Sequence, residues 1–227
     1  MAELKLPTHV GLIMDGNRRW AKFNGKKAVE GHLAGANNII TLAKHIFKKG
    51  IKALSIYAFS TENFKRDVEE VSYLMNLIGK FFNDRANELN DANIKVVFSG
   101  RGEPLKSNVL QIMAKVTNLT KDNTGGTLNV CLNYGGRTEI IDAVNKIQKT
   151  SEVITEASFS KYLYQDLPDI DLVIRTSGEN RLSNFMLWQV SYAEFYFPKV
   201  YFPDFDEIEF DKALAEYNKR IRRFGGN

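Results

Sequence analysis

Short apolar runs rich in β-branched and aromatic residues alternate along the chain with longer segments in which apolar positions recur at helical spacing. The runs that predict strands are His9–Met14, Ala53–Ser60, Ile94–Ser99, Thr127–Asn133 and Leu172–Arg175, with a candidate sixth at Glu194–Phe197. The segments that predict helices are His32–Lys49, Val68–Leu89, Ser107–Thr120, Thr138–Lys149 and Ser158–Tyr164. Strands that are apolar throughout and separated by helices are typical of parallel sheets covered on both faces. The pattern therefore predicts an α/β fold with a mostly parallel central sheet of about six strands and helices on both faces.

The predicted helix Val68–Leu89 carries more apolar side chains than a helix with one buried face needs. Its apolar stripe consists of Val71, Leu74, Met75, Ile78, Phe81 and Phe82, broadened by Tyr73 and Leu77. A helix packed against two neighbours explains this composition, and so does a helix whose second face lines an apolar cavity. The spacing of the residues leaves both interpretations open.

The composition indicates a folded globular protein. Of the 227 residues, 44% are hydrophobic and 26% are charged, and no linker, repeat or charge block divides the chain, so we predict one domain over residues 1–227. Cys131 is the single cysteine, which excludes an internal disulfide and favours a reducing compartment. No apolar run reaches the ~18–20 residues of a membrane span, and the first residues lack the apolar core of a signal peptide. We therefore expect a cytoplasmic protein.

Arginine collects in the segments that follow the predicted strands, where ligands bind in open parallel sheets. These segments, residues 15–20, 60–66, 133–137 and 176–184, are rich in Gly, Asn, Ser and Arg. The arginines in or beside them are Arg18, Arg19, Arg66, Arg137, Arg175 and Arg181. Ion pairing with nearby carboxylates is one explanation, but it does not account for so many arginines at one edge. Because guanidinium groups suit phosphate oxygens and the net charge is +4, the pattern predicts a site for a highly anionic ligand.

Two acidic residues are candidate Mg²⁺ ligands. Asp15 follows the first predicted strand among the arginines, and Mg²⁺ typically uses one or two carboxylates together with substrate phosphates. An Asp before Gly is also a common turn residue. Glu194 lies in an aromatic stretch, where a carboxylate is costly to bury unless it is paired or bound to a cation. The three histidines lack zinc-ligand spacing, and His32 is either a phosphate donor or an ordinary residue at a helix start.

Several segments, taken together and in order, resemble the cis-prenyltransferase family. They are HVGLIMDGNRRWAK (9–22), GH and GA (31–32 and 35–36), YAFSTENFKR (57–66) with EV (70–71), NYGGR (133–137), DLVIRTSGENRLSNFMLWQ (171–189) with YAEFYF (192–197), and RRFGG (222–226). The resemblance covers nearly the whole chain. Members of this family join isopentenyl diphosphate to an allylic diphosphate, commonly farnesyl diphosphate, and form cis double bonds repeatedly.

The resemblance implies a role for each of these segments. Asp15 and Glu194 would hold Mg²⁺, and the allylic diphosphate would be bound by Gly16, Asn17, Arg18, Arg19 and His32, with Trp20 nearby. The loop over the reacting carbons would consist of Ser60, Thr61, Glu62, Asn63, Phe64 and Arg66. Isopentenyl diphosphate would be bound by Arg175, Arg181 and Ser183, with Leu182 between the last two. The helix Val68–Leu89 would wall a hydrophobic tunnel beside the sheet.

The family's convention makes Asn63 the proton acceptor. A neutral amide is a very weak base, so we expect Asn63 to orient a diphosphate oxygen or a water that takes the proton. The chain also departs from the family pattern at Ala28, where arginine is usual, at Phe64, where tryptophan is commoner, and at Asp67, where proline is commoner. Lys26 and Lys27 directly precede Ala28, but an ammonium lacks the guanidinium fork, so we expect weaker binding of the allylic diphosphate.

The resemblance implies a long-chain product, undecaprenyl diphosphate for the cell-wall lipid carrier; a short- or medium-chain cis-prenyl diphosphate synthase is the alternative. It also implies a homodimer, in which Arg222–Gly226 would complete a neighbour's site, and is compatible with peripheral membrane contact. An aspartyl-phosphate type phosphatase is a remote alternative, because Asn17 stands where its second Asp would be. The chain has no Asp-Asp pair, which excludes the trans-prenyltransferase motif. Its charge excess is too small and too scattered to favour nucleic-acid binding.

Overall fold

A computed structural model describes residues 5–220, in which six strands form one sheet whose paired neighbours all run parallel. The strands are β1 (His9–Ile13), β2 (Ala53–Ser60), β3 (Ile94–Ser99), β4 (Gly126–Tyr134), β5 (Leu172–Arg175) and β6 (Glu194–Tyr196). Their order across the sheet is β3-β4-β2-β1-β5-β6. All six predicted strands are present, and their bounds differ from the predicted ones by at most one residue at either end.

The helices of the described chain are α1 (Asn17–Phe23), α2 (Ala28–Lys48), α3 (Val68–Asp91), α4 (Ser107–Thr120), α5 (Gly136–Ile147), α6 (Glu156–Ser160) and α7 (Glu207–Asn218). The helices α1 and α7 were not predicted. The buried face of α7 does have helical spacing, at Phe210, Ala213, Leu214 and Tyr217. Within α1 only Ala21 is buried, so a hydrophobic period cannot reveal it. No described helix is long and apolar enough to cross a membrane.

Both faces of the sheet are covered, which confirms the predicted fold class. Alternate strand residues such as Leu12, Ile56 and Val130 pack against α2, α3 and α7 in the largest apolar cluster. On the opposite face, Ile13 and Val173 pack in a second cluster, and α5 and α6 enclose a further one. The carboxyl ends of the strands therefore lie at an edge between two helical layers, and Asp15 and Arg175 meet there.

Two glycines of α2 allow α1 to lie directly against it. A Cβ at Gly31 would lie 2.1 Å from the carbonyl oxygen of Asn17, and one at Gly35 would lie 2.4 Å from Oδ1 of Asn17. The first of these contacts is with backbone, which cannot swing aside as a side-chain tip can. The glycines therefore fix the position of α1, and α1 carries the arginines of the first strand-end segment.

Gly31→Ala will separate α1 from α2 and destabilise the protein. Overpacking of this kind costs about 1–3 kcal/mol, which lowers the Tm of a chain of this size by several degrees. The matched control is Gly79→Ala in α3, where the nearest atom to a new Cβ is 3.4 Å away and alanine favours the helix. Thermal unfolding followed by circular dichroism would contradict this argument if the two variants had equal Tm values.

Candidate active site

The site is built where β1 and β5 lie side by side. The strand that follows β1 in sequence, β2, lies on one side of this pair, and the strand that follows β5, β6, lies on the other side. β1 and β5 therefore flank a topological switch point, where open α/β sheets bind ligands. Ile13 is in register with Arg175. The chain beyond Ile13 therefore brings Asp15 to the Arg175 side chain, and Nη2 of Arg175 donates to Oδ2 of Asp15 at 2.9 Å.

Asp15 is held as an ionised carboxylate between two arginines. Its second oxygen, Oδ1, accepts a hydrogen bond from Nη2 of Arg19 at 3.0 Å. Burial raises the pKa of Asp15, but the hydrogen bonds and charges of Arg175 and Arg19 outweigh burial and lower the pKa below its usual value. The Thr176 hydroxyl fixes the backbone here, because it donates to the Asp15 carbonyl at 2.7 Å.

Arg175 uses its guanidinium fork to join the ends of two segments. While Nη2 binds Asp15, Nη1 donates to Oγ of Ser183 at 2.7 Å and to the carbonyl of Arg181 at 2.5 Å. The side chain is only 5% exposed. Its Nε is buried and has no hydrogen-bond partner within residues 5–220. Such a buried donor is available to an anionic ligand or a water molecule.

Gly16 makes the turn between β1 and α1 possible. Its φ is +100°, in the left-handed region that favours glycine, and a Cβ there would lie 2.0 Å from Oγ of Ser177. The turn directs Arg18 and Arg19 toward the ligand edge. Arg19 also donates to Glu179 at 2.7 Å, so Glu179 and Asp15 together orient its guanidinium.

Glu70 of α3 lies close to three basic side chains on the other side of the site. Its carboxylate lies 3.4 Å from Arg18, 3.2 Å from Arg66 and 4.0 Å from Nε2 of His32. Burial lowers the pKa of His32, against the opposing charge of Glu70, so its imidazole is neutral at neutral pH. Nε2 of His32 is buried without a hydrogen-bond partner among the described residues.

The loop after β2 is a 3₁₀ turn over Thr61–Lys65 that is closed by its own side chains. Oδ1 of Asn63 accepts a hydrogen bond from the backbone N–H of Ser60 at 3.1 Å. The Phe64 ring meets Phe59 edge to face, with ring centroids 4.9 Å apart. Since the carbonyl oxygen of the Asn63 amide is engaged by the backbone, its position is set by the turn.

Two residues that sequence reasoning did not assign to the site connect its loops. Asn184 accepts from the backbone N–H of Gly136 at 2.7 Å and of Arg137 at 2.9 Å, and its amide donates to Glu62 at 2.9 Å. Glu139 is buried and accepts from the Tyr134 hydroxyl, Gln189 and the Tyr164 backbone. No short motif marks Glu139, since two of these three partners are distant in sequence. Asn184 lies within a segment that we did identify.

Three cavities meet at this edge of the sheet. An open cleft of about 590 Å³ is lined by Asp15, Arg18, Arg19, Lys22, Lys26, Ala28, His32 and Arg66, among others. A neighbouring cavity of about 210 Å³ is lined by Asp15, Phe59, Asn63, Arg175 and Ser183, among others. An apolar cavity of about 70 Å³ lies between α2, α3 and the sheet. Met14, Asn17 and His32 line all three, so the cavities adjoin one another.

The α3 helix therefore lines an apolar cavity in addition to packing in the core. Its contribution consists of Leu74, Leu77, Ile78, Phe81 and Phe82. At about 70 Å³ the cavity has room for only a few water-sized groups. A tunnel long enough for a polyprenyl chain remains a prediction.

The structure does not bring Glu194 to Asp15. Glu194 is in register with Leu172, which is in register with Val10, whereas β1 continues for three more residues, about 10 Å, to Ile13 before the turn that carries Asp15. The Glu194 carboxylate accepts from Nη1 of Arg220 at 2.9 Å. The two carboxylates of one chain thus lie at opposite ends of the sheet, and one ion cannot bind both of them.

The remaining predicted site residues lie around the rim. Trp20 lies outside the cavity linings, and its indole N–H donates to Asp204 at 2.7 Å. Arg181 is exposed and pairs with Glu179, while Leu182 packs against the second apolar cluster. Thr61 and Glu62 hydrogen-bond to each other within the β2 loop. Residues Arg222–Gly226 lie outside the described part of the chain.

Comparisons with known proteins agree on one family. The Prenyltransf family model, for undecaprenyl diphosphate synthase, matches residues 13–225. The chain is 48% identical to an isoprenyl transferase of Fusobacterium nucleatum, over 99% of this chain and 98% of that protein. It is 44% identical to a trans,polycis-polyprenyl diphosphate synthase ((2Z,6E)-farnesyl diphosphate specific) of Thermobifida fusca, over 97% of this chain and 81% of that protein. Among solved structures, lavandulyl diphosphate synthase from Lavandula x intermedia, in complex with dimethylallyl diphosphate, superposes with a TM-score of 0.91 at 37% identity, over 96% of this chain and 98% of that one.

Proposed function

Because the chain belongs to the undecaprenyl diphosphate synthase family of prenyltransferases, we propose that it condenses isopentenyl diphosphate onto farnesyl diphosphate to give a long-chain cis-polyprenyl diphosphate. Undecaprenyl diphosphate, for the cell-wall lipid carrier, is the product that we propose. One observation supports this reaction above all: the Asp15–Arg175 pair opens onto a cationic cleft that adjoins an apolar cavity. A substrate with a diphosphate head and an isoprenoid tail matches that arrangement. We further propose that the protein is a cytoplasmic homodimer.

The two cavities suit two diphosphates. In the proposal, the open cleft holds the allylic diphosphate with Arg18, Arg19 and His32, and the buried Nε2 of His32 supplies a hydrogen-bonding atom that is otherwise unused. The second cavity holds isopentenyl diphosphate against Arg175 and Ser183. Because both cavities share Asp15 and Asn17, the reacting ends of the two substrates would lie next to each other.

The residues at this edge fit Mg²⁺. Asp15 supplies an ionised carboxylate, and Oδ1 of Asn17 is a buried acceptor that has no hydrogen-bond partner in the described chain. No group of three or more His, Cys, Asp or Glu suited to a metal ion occurs among residues 5–220. A site with one carboxylate is typical of Mg²⁺ that is shared with substrate phosphates. When bound, Mg²⁺ would neutralise charge on the diphosphate oxygens.

The reaction follows from the charges at the site. The C–O bond of the allylic diphosphate breaks, and its electron pair leaves with the diphosphate, toward Arg18 and Arg19. The terminal carbon of the isopentenyl double bond attacks the resulting allylic cation and forms the new C–C bond. Attack leaves a tertiary cation on the methyl-bearing carbon of the isopentenyl unit. The CH2 group next to it, on the diphosphate side, then loses a proton to a diphosphate oxygen or water that Asn63 orients, and the C–H electron pair forms the new double bond. The Phe59 ring lines this cavity and can stabilise the cation by about 0.5–2 kcal/mol.

One assay tests the proposed reaction. We expect purified protein, incubated with farnesyl diphosphate, radiolabelled isopentenyl diphosphate and Mg²⁺, to form labelled products extractable into butanol, and chelation of Mg²⁺ to stop their formation. Reversed-phase thin-layer chromatography of the dephosphorylated products gives their chain length. A single added isoprene unit would indicate a short-chain synthase, and absence of elongation with release of phosphate would indicate a phosphatase.

Ala28→Arg will tighten binding of the allylic primer. Ala28 is exposed in the lining of the open cleft, beside Lys22 and Lys26, so the longer side chain has room. A guanidinium fork binds two phosphate oxygens where an ammonium offers one point charge. We expect the KM for farnesyl diphosphate to fall about tenfold, with the KM for isopentenyl diphosphate unchanged. Ala28→Gln is the neutral control, and an unchanged KM in Ala28→Arg would show that arginine is not needed here.

A further inference from the structure

The turn between α1 and α2 exposes apolar and basic side chains together. Every residue from Lys22 to Glu30 is exposed. Phe23, the last residue of α1, is 81% exposed, although a phenylalanine ring in water is costly. Val29 and Leu33, four residues apart in the first turns of α2, are exposed as well. We call residues 22–33 the α1–α2 tip.

The charge of the tip is positive. Lys22, Lys26 and Lys27 flank Phe23 and the turn, and the one acid among residues 22–33, Glu30, is engaged at the start of α2, where its carboxylate accepts from the Lys27 backbone at 2.9 Å. Several other exposed apolar side chains of residues 5–220 adjoin acidic residues instead. Val68, for example, is equally exposed but stands between Asp67 and Glu69.

Several contacts hold the tip against the rest of the protein. The Lys26 backbone donates to the Ala21 carbonyl at 2.8 Å, and the Lys26 ammonium lies 5.0 Å from the centre of the Trp20 ring. Trp20 is in turn fixed by Asp204, and Gly31 presses on the backbone of α1. The backbone that carries Phe23 is therefore anchored on both sides, while the ring itself faces solvent.

We infer that the α1–α2 tip docks on an anionic lipid bilayer, with the Phe23 ring in the headgroup region and the three lysines among the lipid phosphates. Aromatic side chains beside lysines are typical of membrane-surface segments, and clustered lysines are attracted to anionic lipids. The location adds a reason that rests on the proposed function. Lys22, Lys26 and Ala28 line the open cleft, so the cleft opens at the docked edge, where a polyprenyl product would pass to the bilayer.

Vesicle co-sedimentation tests the docking surface. We expect the protein to pellet with vesicles of equal parts phosphatidylglycerol and phosphatidylcholine, and to be released by high salt or with pure phosphatidylcholine vesicles. Phe23→Ser will weaken this binding about tenfold or more, because it removes the inserted ring. The matched control is Val153→Ser, which removes an apolar side chain that is 86% exposed between α5 and α6, and it will bind as the parent does.

The outcomes separate this inference from the proposed reaction. Phe23→Ser will keep the parent's Tm and its rate of elongation in vesicle-free detergent buffer. Equal vesicle binding by Phe23→Ser and the parent, or no binding by the parent, would overturn the inference even if elongation is normal. A change in oligomeric state in sedimentation velocity would also overturn it, since the tip would then be a protein interface. If the protein binds vesicles through Phe23 but does not elongate farnesyl diphosphate, the docking surface is supported and the proposed reaction is wrong.

Discussion

Asp15→Ala will lower kcat/KM for chain elongation about 10³-fold, equivalent to ~4 kcal/mol of transition-state stabilisation. The substitution removes the carboxylate that the fold places between Arg175 and Arg19, and with it the proposed Mg²⁺ ligand. The Mg²⁺ concentration needed for half-maximal rate should also rise. Initial rates measured across a Mg²⁺ titration report both effects. Asp15→Asn, which keeps the shape and loses the charge, should show most of the same loss.

Glu179→Gln is the matched control for Asp15. Glu179 also binds Arg19, at 2.7 Å, but it lies at the rim and lines neither of the cavities that contain Asp15. An exposed ion pair of this kind is worth about 0–1 kcal/mol, so we expect less than a tenfold loss. If Asp15→Ala and Glu179→Gln lost activity equally, with Tm values near that of the parent, the assignment of Asp15 to the chemistry would be wrong.

The pH dependence follows from the same ion pairs. Arg175 and Arg19 hold the pKa of Asp15 below its usual value, so the carboxylate stays ionised from neutral pH down into the acid range. A depressed folded-state pKa contributes stability above the unfolded pKa, about 3.9, and this contribution is lost as the pH falls through the folded value. Titration of Asp15 therefore contributes no change in rate between pH 6 and pH 9.

The strands could be located from sequence almost to the residue, because most of their side chains are apolar; β1 and β5 are buried at every position, whereas the edge strand β6 is only half-buried. The helix starts were harder. The α2 helix begins at Ala28, four residues before the predicted His32, since the Glu30 carboxylate closes its first turn on the Lys27 backbone. A hydrogen bond between a side chain and the backbone produces no periodic pattern of apolar residues, so the start of α2 could not be predicted from hydrophobic spacing. The α7 helix did carry a readable spacing, from Phe210 to Tyr217, and was overlooked.

The site was predictable to the extent that it follows strand ends. The alternation of elements indicated a parallel sheet with its strand-end segments at one edge. The order of the strands, which the sequence pattern did not give, makes β1 and β5 neighbours and brings Asp15 to Arg175. Glu194 was grouped with Asp15 because a carboxylate in an aromatic stretch suggested a bound cation, and the family resemblance supported that grouping. Register puts Glu194 at the start of its strand, far from Asp15 in the same chain. Asn184 and Glu139 act through hydrogen bonds between loops distant in sequence, so composition and spacing could not reveal their role.

Arg175→Lys will lower kcat/KM with isopentenyl diphosphate about 10²-fold or more, a loss comparable to that of one preorganised donor in an active site. The guanidinium of Arg175 binds Asp15 with one arm and Ser183 with the other, and a lysine ammonium, although still charged, cannot hold that planar geometry. The substitution also removes the buried Nε of Arg175, which has no hydrogen-bond partner within the described chain. Most of the loss should be in the KM for isopentenyl diphosphate, with the KM for the allylic primer changed less.

Arg181→Lys provides the comparison on the same segment. Arg181 is exposed and its guanidinium pairs with Glu179, so a lysine can replace most of its charge, and we expect a loss below tenfold. Steady-state kinetics with each substrate varied in turn, together with Tm values, separate binding from folding. The loss of hydrogen bonds to charged groups predicts about 1–3 kcal/mol of destabilisation for Arg175→Lys. Equal KM values for isopentenyl diphosphate in the two variants would place that substrate at the rim near Arg181, outside the cavity that Arg175 closes.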